Sequence, residues 1–280
     1  MKTAVAPLIV SAVVSVAAAV GAQGARAQIY ATVLNEQGAP VRGLQAADLV
    51  LRDGGVRQVV VDAEAAKEPL AVAVVVFGFG AGDLVDLERA IDEGVRTLRA
   101  QNPATQVGLV GAASSTTMIE PGQTEWRASL DRLASAPAGP NFIDAVIAGC
   151  EVLGTAPPDR RVVLGIVETH GAADINRPDR LSTAVSDGHV ALWTVEVGAT
   201  GAAEWRAPVD AALNDATRLG GSLRQAVKSP ANVSTGVAAA VDFLLSQYLV
   251  TYGWPDPMLS QFNMETRHGA GRVLTPAWSR

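Results

Sequence analysis

The sequence predicts an α/β protein with a doubly wound, mostly parallel sheet, helices on both faces, and a small N-terminal β module. The first observation is a Val-rich apolar run over 70–76, typical of a central parallel strand covered on both faces. A Gly-rich turn over 78–82 follows, and a helix is predicted to begin at Asp83. This helix has one apolar face, formed by Leu84, Leu87, Ile91, Val95 and Leu98.

The rest of the predicted α/β domain, residues 67–248, alternates strands with amphipathic helices. This alternation indicates βαβ units and therefore parallel pairing. Strands are predicted over 106–112, 161–167 and 190–197, with an antiparallel edge hairpin reaching 116–119. Helices are predicted over 124–133, 142–153, 179–187, 207–219 and 233–248.

Residues 28–66 are predicted to form the β module. Ile29, Ala31 and Val33 alternate with other residues as in a strand, and Asp53-Gly54-Gly55 is typical of a hairpin turn. Residues 249–280 are predicted to be extended, with strands near Phe262 and Val273. A few short strands are not stable alone, so we expect this tail to join the module.

Residues 1–27 have the features of a secretory signal peptide. Lys2 supplies a positive charge, residues 4–20 are apolar, and Ala25-Arg26-Ala27 is an A-x-A cleavage site. We therefore expect cleavage after Ala27, a secreted or periplasmic location, and no membrane insertion of the mature chain. An uncleaved N-terminal anchor helix is the alternative.

Net charge argues against one class of partner, and the cysteine content indicates no reactive thiol. Loss of Lys2 and Arg26 with the leader reduces the 22 basic residues to 20 against 28 acidic ones, so the net charge moves from −6 to −8. An acidic chain without a basic run argues against nucleic acid as a partner. The single cysteine, Cys150, lies among apolar residues and is predicted to be a buried, inert thiol.

Several motifs, in order, resemble the bacterial secreted VWFA-related family, whose members contain a von Willebrand factor type A (vWA) domain. The resemblance covers the mature chain, and its fold agrees with the one predicted above. The matching segments are Gly38–Leu44 followed by Asp48-Leu49, Asp53-Gly54 and Gln58; Gln106–Val110; Leu219-Gly220-Gly221; and Gln247–Tyr252.

The family usually carries a metal-ion-dependent adhesion site, in which Asp, Ser and Thr oxygens bind Mg²⁺. The corresponding positions in this chain lack those oxygen ligands: they are Phe77, Phe79, Ala81, Pro140 and His170. Because Mg²⁺ requires hard oxygen donors, the resemblance implies a degenerate site with no metal and no cofactor. A shifted site using Asp83, Asn141, Thr169 or Asp174 stays open.

The sequence evidence for other chemistry at the same edge of the sheet is weaker. Gly78, Gly80 and Gly82 have the wrong spacing for a dinucleotide fingerprint and are better explained by a tight turn. His170 and Ser114 could act together in a hydrolase, but no G-x-S-x-G elbow and no triad accompany them.

The expected function is a non-catalytic protein-interaction module whose protein partner and oligomeric state the sequence does not identify. The expected contact surface consists of Phe79, Ser114, Pro140, Asn141 and His170. Phe77 is expected in the core, whereas Phe79 is either core or exposed. The alternatives are a small hydrolase or nucleotide-binding enzyme at this edge, and a structural subunit of an envelope assembly.

Overall fold

A computed structural model describes residues 26–53, 55–110, 124–134, 142–156, 160–168, 178–198, 207–253, 262–267 and 271–277. These residues form an α/β domain and a β module that packs against one edge of it. No helix among them is long and apolar enough to cross a membrane.

The α/β domain contains a five-stranded, all-parallel sheet in the order β6-β5-β7-β8-β9. Its strands are β5 (Leu70–Phe77), β6 (Gln106–Leu109), β7 (Arg160–Glu168), β8 (Val190–Val197) and β9 (Arg224–Val227). Its helices are α1 (Leu84–Gln101), α2 (Thr124–Ala134), α3 (Phe142–Gly154), α4 (Pro178–Gly188), α5 (Ala207–Leu219) and α6 (Val233–Leu245).

The sheet is doubly wound, as the sequence predicts. One face packs on α1, α2 and α6 through Val72, Val74 and Val76 of β5. The opposite face packs on α3, α4 and α5 through the alternate β5 residues. The whole predicted apolar face of α1 is buried, which confirms the 3.6-residue period in its sequence.

The β module combines the beginning of the chain with its tail. One sheet has the order β12-β1-β10-β4 and a second has the order β11-β2-β3, all antiparallel. The strands are β1 (Arg26–Leu34), β2 (Leu49–Asp53), β3 (Val56–Gln58), β4 (Val60–Ala65), β10 (Tyr248–Gly253), β11 (Phe262–Thr266) and β12 (Arg272–Leu274).

Three differences from the prediction affect how the fold is put together. The last helix ends at Leu245 rather than 248, because the chain from Tyr248 pairs with both β1 and β4. β9 was not predicted, since its sequence RQAV is short and half polar and is a strand only through pairing with β8. β1 begins at Arg26, two residues inside the predicted leader.

The β module is attached where the parallel strands begin, which we call the amino edge. The buried guanidinium of Arg160, at the start of β7, donates to the carbonyls of Glu68 (2.9 Å) and Leu244 (2.7 Å) and to Oε1 of Gln247 (2.9 Å). It also lies 5.5 Å from the ring centre of Tyr30 in β1. One side chain therefore joins the segment before β5, the end of α6 and the module.

Candidate functional site

The opposite edge, where the parallel strands end, is the carboxyl edge. The helices that follow β5 and β7 in the chain, α1 and α4, lie on opposite faces of the sheet, so the space between these two strand ends is the topological switch point, where ligands bind in open α/β sheets. Gly78 follows β5 with a φ of +82°, and a Cβ there would lie 3.0 Å from the carbonyl oxygen of Glu168. The close approach of the two strand ends therefore requires glycine at this position.

Two aromatic residues, Phe77 and Phe79, lie on either side of Gly78 at the end of β5. Phe79 is 1% exposed and belongs to the same apolar cluster as Leu84 and Trp126. Phe77 is half-buried on the other face, and its ring centre lies 6.5 Å from that of Phe142, at the start of α3. Phe77 and Phe79 thus leave the end of β5 on opposite faces, and each is taken up by a core cluster.

The ring of Phe142 packs directly on β7. A Cβ built on Gly165 would lie 2.6 Å from Cζ of Phe142, so the ring needs the space that a side chain would take. Gly165 pairs with Val75 and Thr194, in the centre of the sheet. The first residue of α3 is therefore anchored in the core.

The predicted contact surface is only partly covered by the structure. Phe79 does not belong to it, because its ring is buried in the core under α1 and α2; this part of the prediction is wrong. The predicted residues Ser114, Pro140, Asn141 and His170, and the shifted-site candidates Thr169 and Asp174, lie outside the described residues. Ala81 is exposed in the turn before α1.

Asp83 is partly exposed at the N-cap of α1, where its side chain makes no capping hydrogen bond. Its amide donates to the carbonyl of Gly80 at 3.0 Å, which closes the turn. Within the described ranges, no group of three or more His, Cys, Asp or Glu side chains is placed to hold a metal ion.

A partly buried ion cluster near the carboxyl edge was not predicted from the sequence. Arg224 of β9 donates to both oxygens of Glu196 (2.6 and 2.9 Å), to Oδ1 of Asp210 (2.5 Å) and to Oδ1 of Asn214 (2.8 Å). Burial alone would lower the pKa of Arg224, but the hydrogen bonds and charges of Glu196 and Asp210 outweigh it, and the pKa is raised. The cluster ties the first turn of α5 to β8 and β9.

One feature of the sequence indicates this cluster: a single charged residue in an otherwise uncharged strand. Glu196 is the one charged residue in the apolar strand VALWTVEV, and a carboxylate buried to 4% exposure needs a charged partner. The partner could not be named from sequence, because Arg224 lies in the unpredicted strand β9. Since the bidentate arginine satisfies the carboxylate, Glu196 is better suited to holding the fold than to proton transfer.

Comparisons with known proteins do not assign this chain to a family. No family model matches the chain, and no curated protein matches it. Among solved structures, the von Willebrand factor type A protein from Catenulispora acidiphila is 9% identical, with a TM-score of 0.41 over 92% of this chain and 74% of that one. The VWA domain of SpRpn10 is 14% identical, with a TM-score of 0.43 over 61% and 94%.

A mutant of the PilB minor pilin from Streptococcus sanguinis is 10% identical, with a TM-score of 0.44 over 65% of this chain and 63% of the pilin. This chain therefore spans just under two thirds of that protein's length. At such identities and TM-scores, none of these likenesses transfers a ligand, a partner or an activity to this chain. The fold class itself rests on the strand order and on the two helical layers.

Proposed function

We propose that this protein is a secreted or periplasmic, non-catalytic interaction module of the vWA type, and that it binds a protein partner without a metal ion. The proposal rests on one observation above all. At the topological switch point, where a metal-dependent module needs oxygen ligands, Phe79 is buried in one core and the half-buried Phe77 packs against the other.

The chemistry of these residues is unfavourable for Mg²⁺. The ion takes carboxylate, hydroxyl and water oxygens at near-octahedral geometry, and an aromatic ring provides none of them. A cation without carboxylates would also carry uncompensated charge beside a low-dielectric core. Recognition would then depend on apolar contact and on neutral hydrogen bonds at the carboxyl edge, including the turn at 80–82.

Thermal unfolding with and without metal tests the metal-independent part of the proposal. A ligand present at 100 times its Kd stabilises the folded state by about 2.7 kcal/mol. For a domain of this size, that is a rise of about 5 °C in the unfolding midpoint. We expect equal midpoints in EDTA and in millimolar Mg²⁺ or Mn²⁺; a clear rise with either ion would contradict metal independence and favour a rebuilt oxygen site.

A pair of matched variants tests the position of the contact surface. Ala81→Arg places a long charged side chain in the exposed turn at the carboxyl edge, whereas Val59→Arg places one on the β module, where Val59 is 73% exposed. Both should keep the far-UV circular dichroism spectrum of the wild type. We expect an envelope or secreted protein that is captured by the wild type to be lost with Ala81→Arg and retained with Val59→Arg; the reverse pattern would place the contact on the β module.

A further inference from the structure

The predicted leader-cleavage bond, Ala27–Gln28, lies inside a paired strand. β1 begins at Arg26, and its first residues pair with β10 in the register Arg26 to Gly253, Ala27 to Tyr252 and Gln28 to Thr251. Ala27 is only 3% exposed and belongs to the core of the β module. The bond that a leader peptidase would cut is thus built into the folded sheet.

The side chains on both strands hold this part of the ladder closed. Tyr252, opposite Ala27, is fully buried, and Nε2 of Gln28 donates to Oγ1 of Thr251 at 3.3 Å. β10 is itself held on its other side by β4, where Tyr252 pairs with Val60. The start of β1 therefore pairs with a strand whose position is fixed from both sides.

A peptidase needs a locally extended, unpaired segment in its active site, and exposed loop tips meet this requirement far better than paired strands. Cleavage of a paired segment proceeds only through an opened state, so its rate falls with the population of that state. Opening the start of β1 also exposes Ala27 and Tyr252 to water, which makes the opened state rare.

We propose that the leader must be cleaved before the β module folds, because pairing of β1 with β10 closes the cleavage site. A precursor that folds before it meets the peptidase keeps its leader. The mature chain then begins at Gln28 and lacks two residue pairs of the sheet, Arg26 with Gly253 and Ala27 with Tyr252. This inference rests on the proposed secretion of the protein.

The test compares cleavage of the full-length precursor in the folded and the unfolded state. Purified bacterial leader peptidase in mild detergent is one probe, and release of residues 1–27 is followed by mass spectrometry. Trypsin is the second probe, since it cuts after Arg26, whose side chain is exposed but whose backbone is in the ladder. We expect both enzymes to act at least about tenfold more slowly on the folded precursor than after its denaturation.

Two valine variants give the matched control without altering the cleavage sequence. Val250→Asp places a charge on β10, where Val250 is fully buried opposite Ile29, whereas Val59→Asp changes a side chain that is 73% exposed. We expect the Val250→Asp precursor to be cut at the unfolded rate by both enzymes, and the Val59→Asp precursor at the slow folded rate.

The outcomes separate the inference from its premise. Equal trypsin rates after Arg26 in the folded and unfolded wild type would overturn the closed-site inference, whatever the peptidase does. If trypsin cleavage of the folded precursor is slow and the peptidase does not cut even the unfolded precursor, the premise that residues 1–27 are a cleavable leader is refuted instead. In that case the order of cleavage and folding has no meaning, and the inference is overturned as well.

Discussion

Replacement of Arg160 by Met should destabilise the protein more than removal of any exposed arginine. Arg160 is 5% exposed, and its guanidinium is held by the carbonyls of Glu68 and Leu244 and by Oε1 of Gln247. Burial lowers the pKa of Arg160, and the nearby Tyr30 and Glu68 counter that effect. The charge is therefore kept in the interior by its acceptors.

The expected change in the free energy of unfolding follows from the acceptors that lose their hydrogen-bond donor in Arg160→Met. Three acceptors are bonded at 2.7–2.9 Å, and an orphaned buried acceptor costs about 1–3 kcal/mol. Removal of the guanidinium also removes its own desolvation penalty, which offsets part of this loss. We expect the free energy of unfolding to fall by about 3–5 kcal/mol, because the combined cost of three orphaned acceptors exceeds the desolvation penalty that is removed.

Urea denaturation, followed by tryptophan fluorescence, measures this change. Arg218→Met is the matched control, because Arg218 is 71% exposed and makes one 3.5 Å contact with Asp215; it should change the free energy by less than about 0.5 kcal/mol. Arg160→Lys should recover little, since an ammonium cannot reach all three acceptors with the planar fork of arginine. A loss below about 1 kcal/mol for Arg160→Met, with an unchanged m-value, would refute this reasoning.

Three further predictions use other buried positions. Gly221→Ala should cost at least about 2 kcal/mol more than Gly38→Ala, because both glycines have positive φ but only Gly221 has Pro276 and Thr275 backbone atoms 2.3 Å from the added Cβ; equal losses in urea denaturation would contradict this. Phe79→Ala should cost about 3–5 kcal/mol by the same measurement, as expected for a buried aromatic ring, whereas a surface ring would cost almost nothing. Cys150, whose burial raises its pKa to about 12 with a smaller contribution from Glu151, should not react with Ellman's reagent at pH 8 until the protein unfolds; rapid labelling of the native protein would show an accessible thiol.

Elements whose sequence pattern matches their own burial were predicted well. β8 and α5 have the predicted bounds, 190–197 and 207–219, because each is a regular apolar pattern ended by a residue or turn that cannot continue it. The turn at Gly220-Gly221 is also required in three dimensions, since the tail crosses Gly221 in backbone contact. Local propensity and tertiary packing agree at these positions.

The prediction fails where contacts between residues far apart in the sequence determine the structure. The segment LLSQYLVTY continues the apolar pattern of α6, so the prediction extended the helix to Tyr248, but strands far away in sequence recruit Tyr248–Gly253 into a sheet. The location of Phe79 was left open for the same reason. Its burial depends on α2, and nothing near Phe79 in the sequence reveals how α2 packs.

The two edges of the parallel sheet should respond differently to mutation. At the amino edge, Arg160 and the Gly221 crossing join the α/β domain to the β module through buried contacts, so changes there should alter stability and leave the carboxyl edge intact in the molecules that fold. At the carboxyl edge, Ala81 is exposed, so its substitution should alter binding with little effect on stability. A substitution at Ala81 that destabilises the fold as much as Arg160→Met would mean that this turn is structural, and the contact surface would have to lie elsewhere.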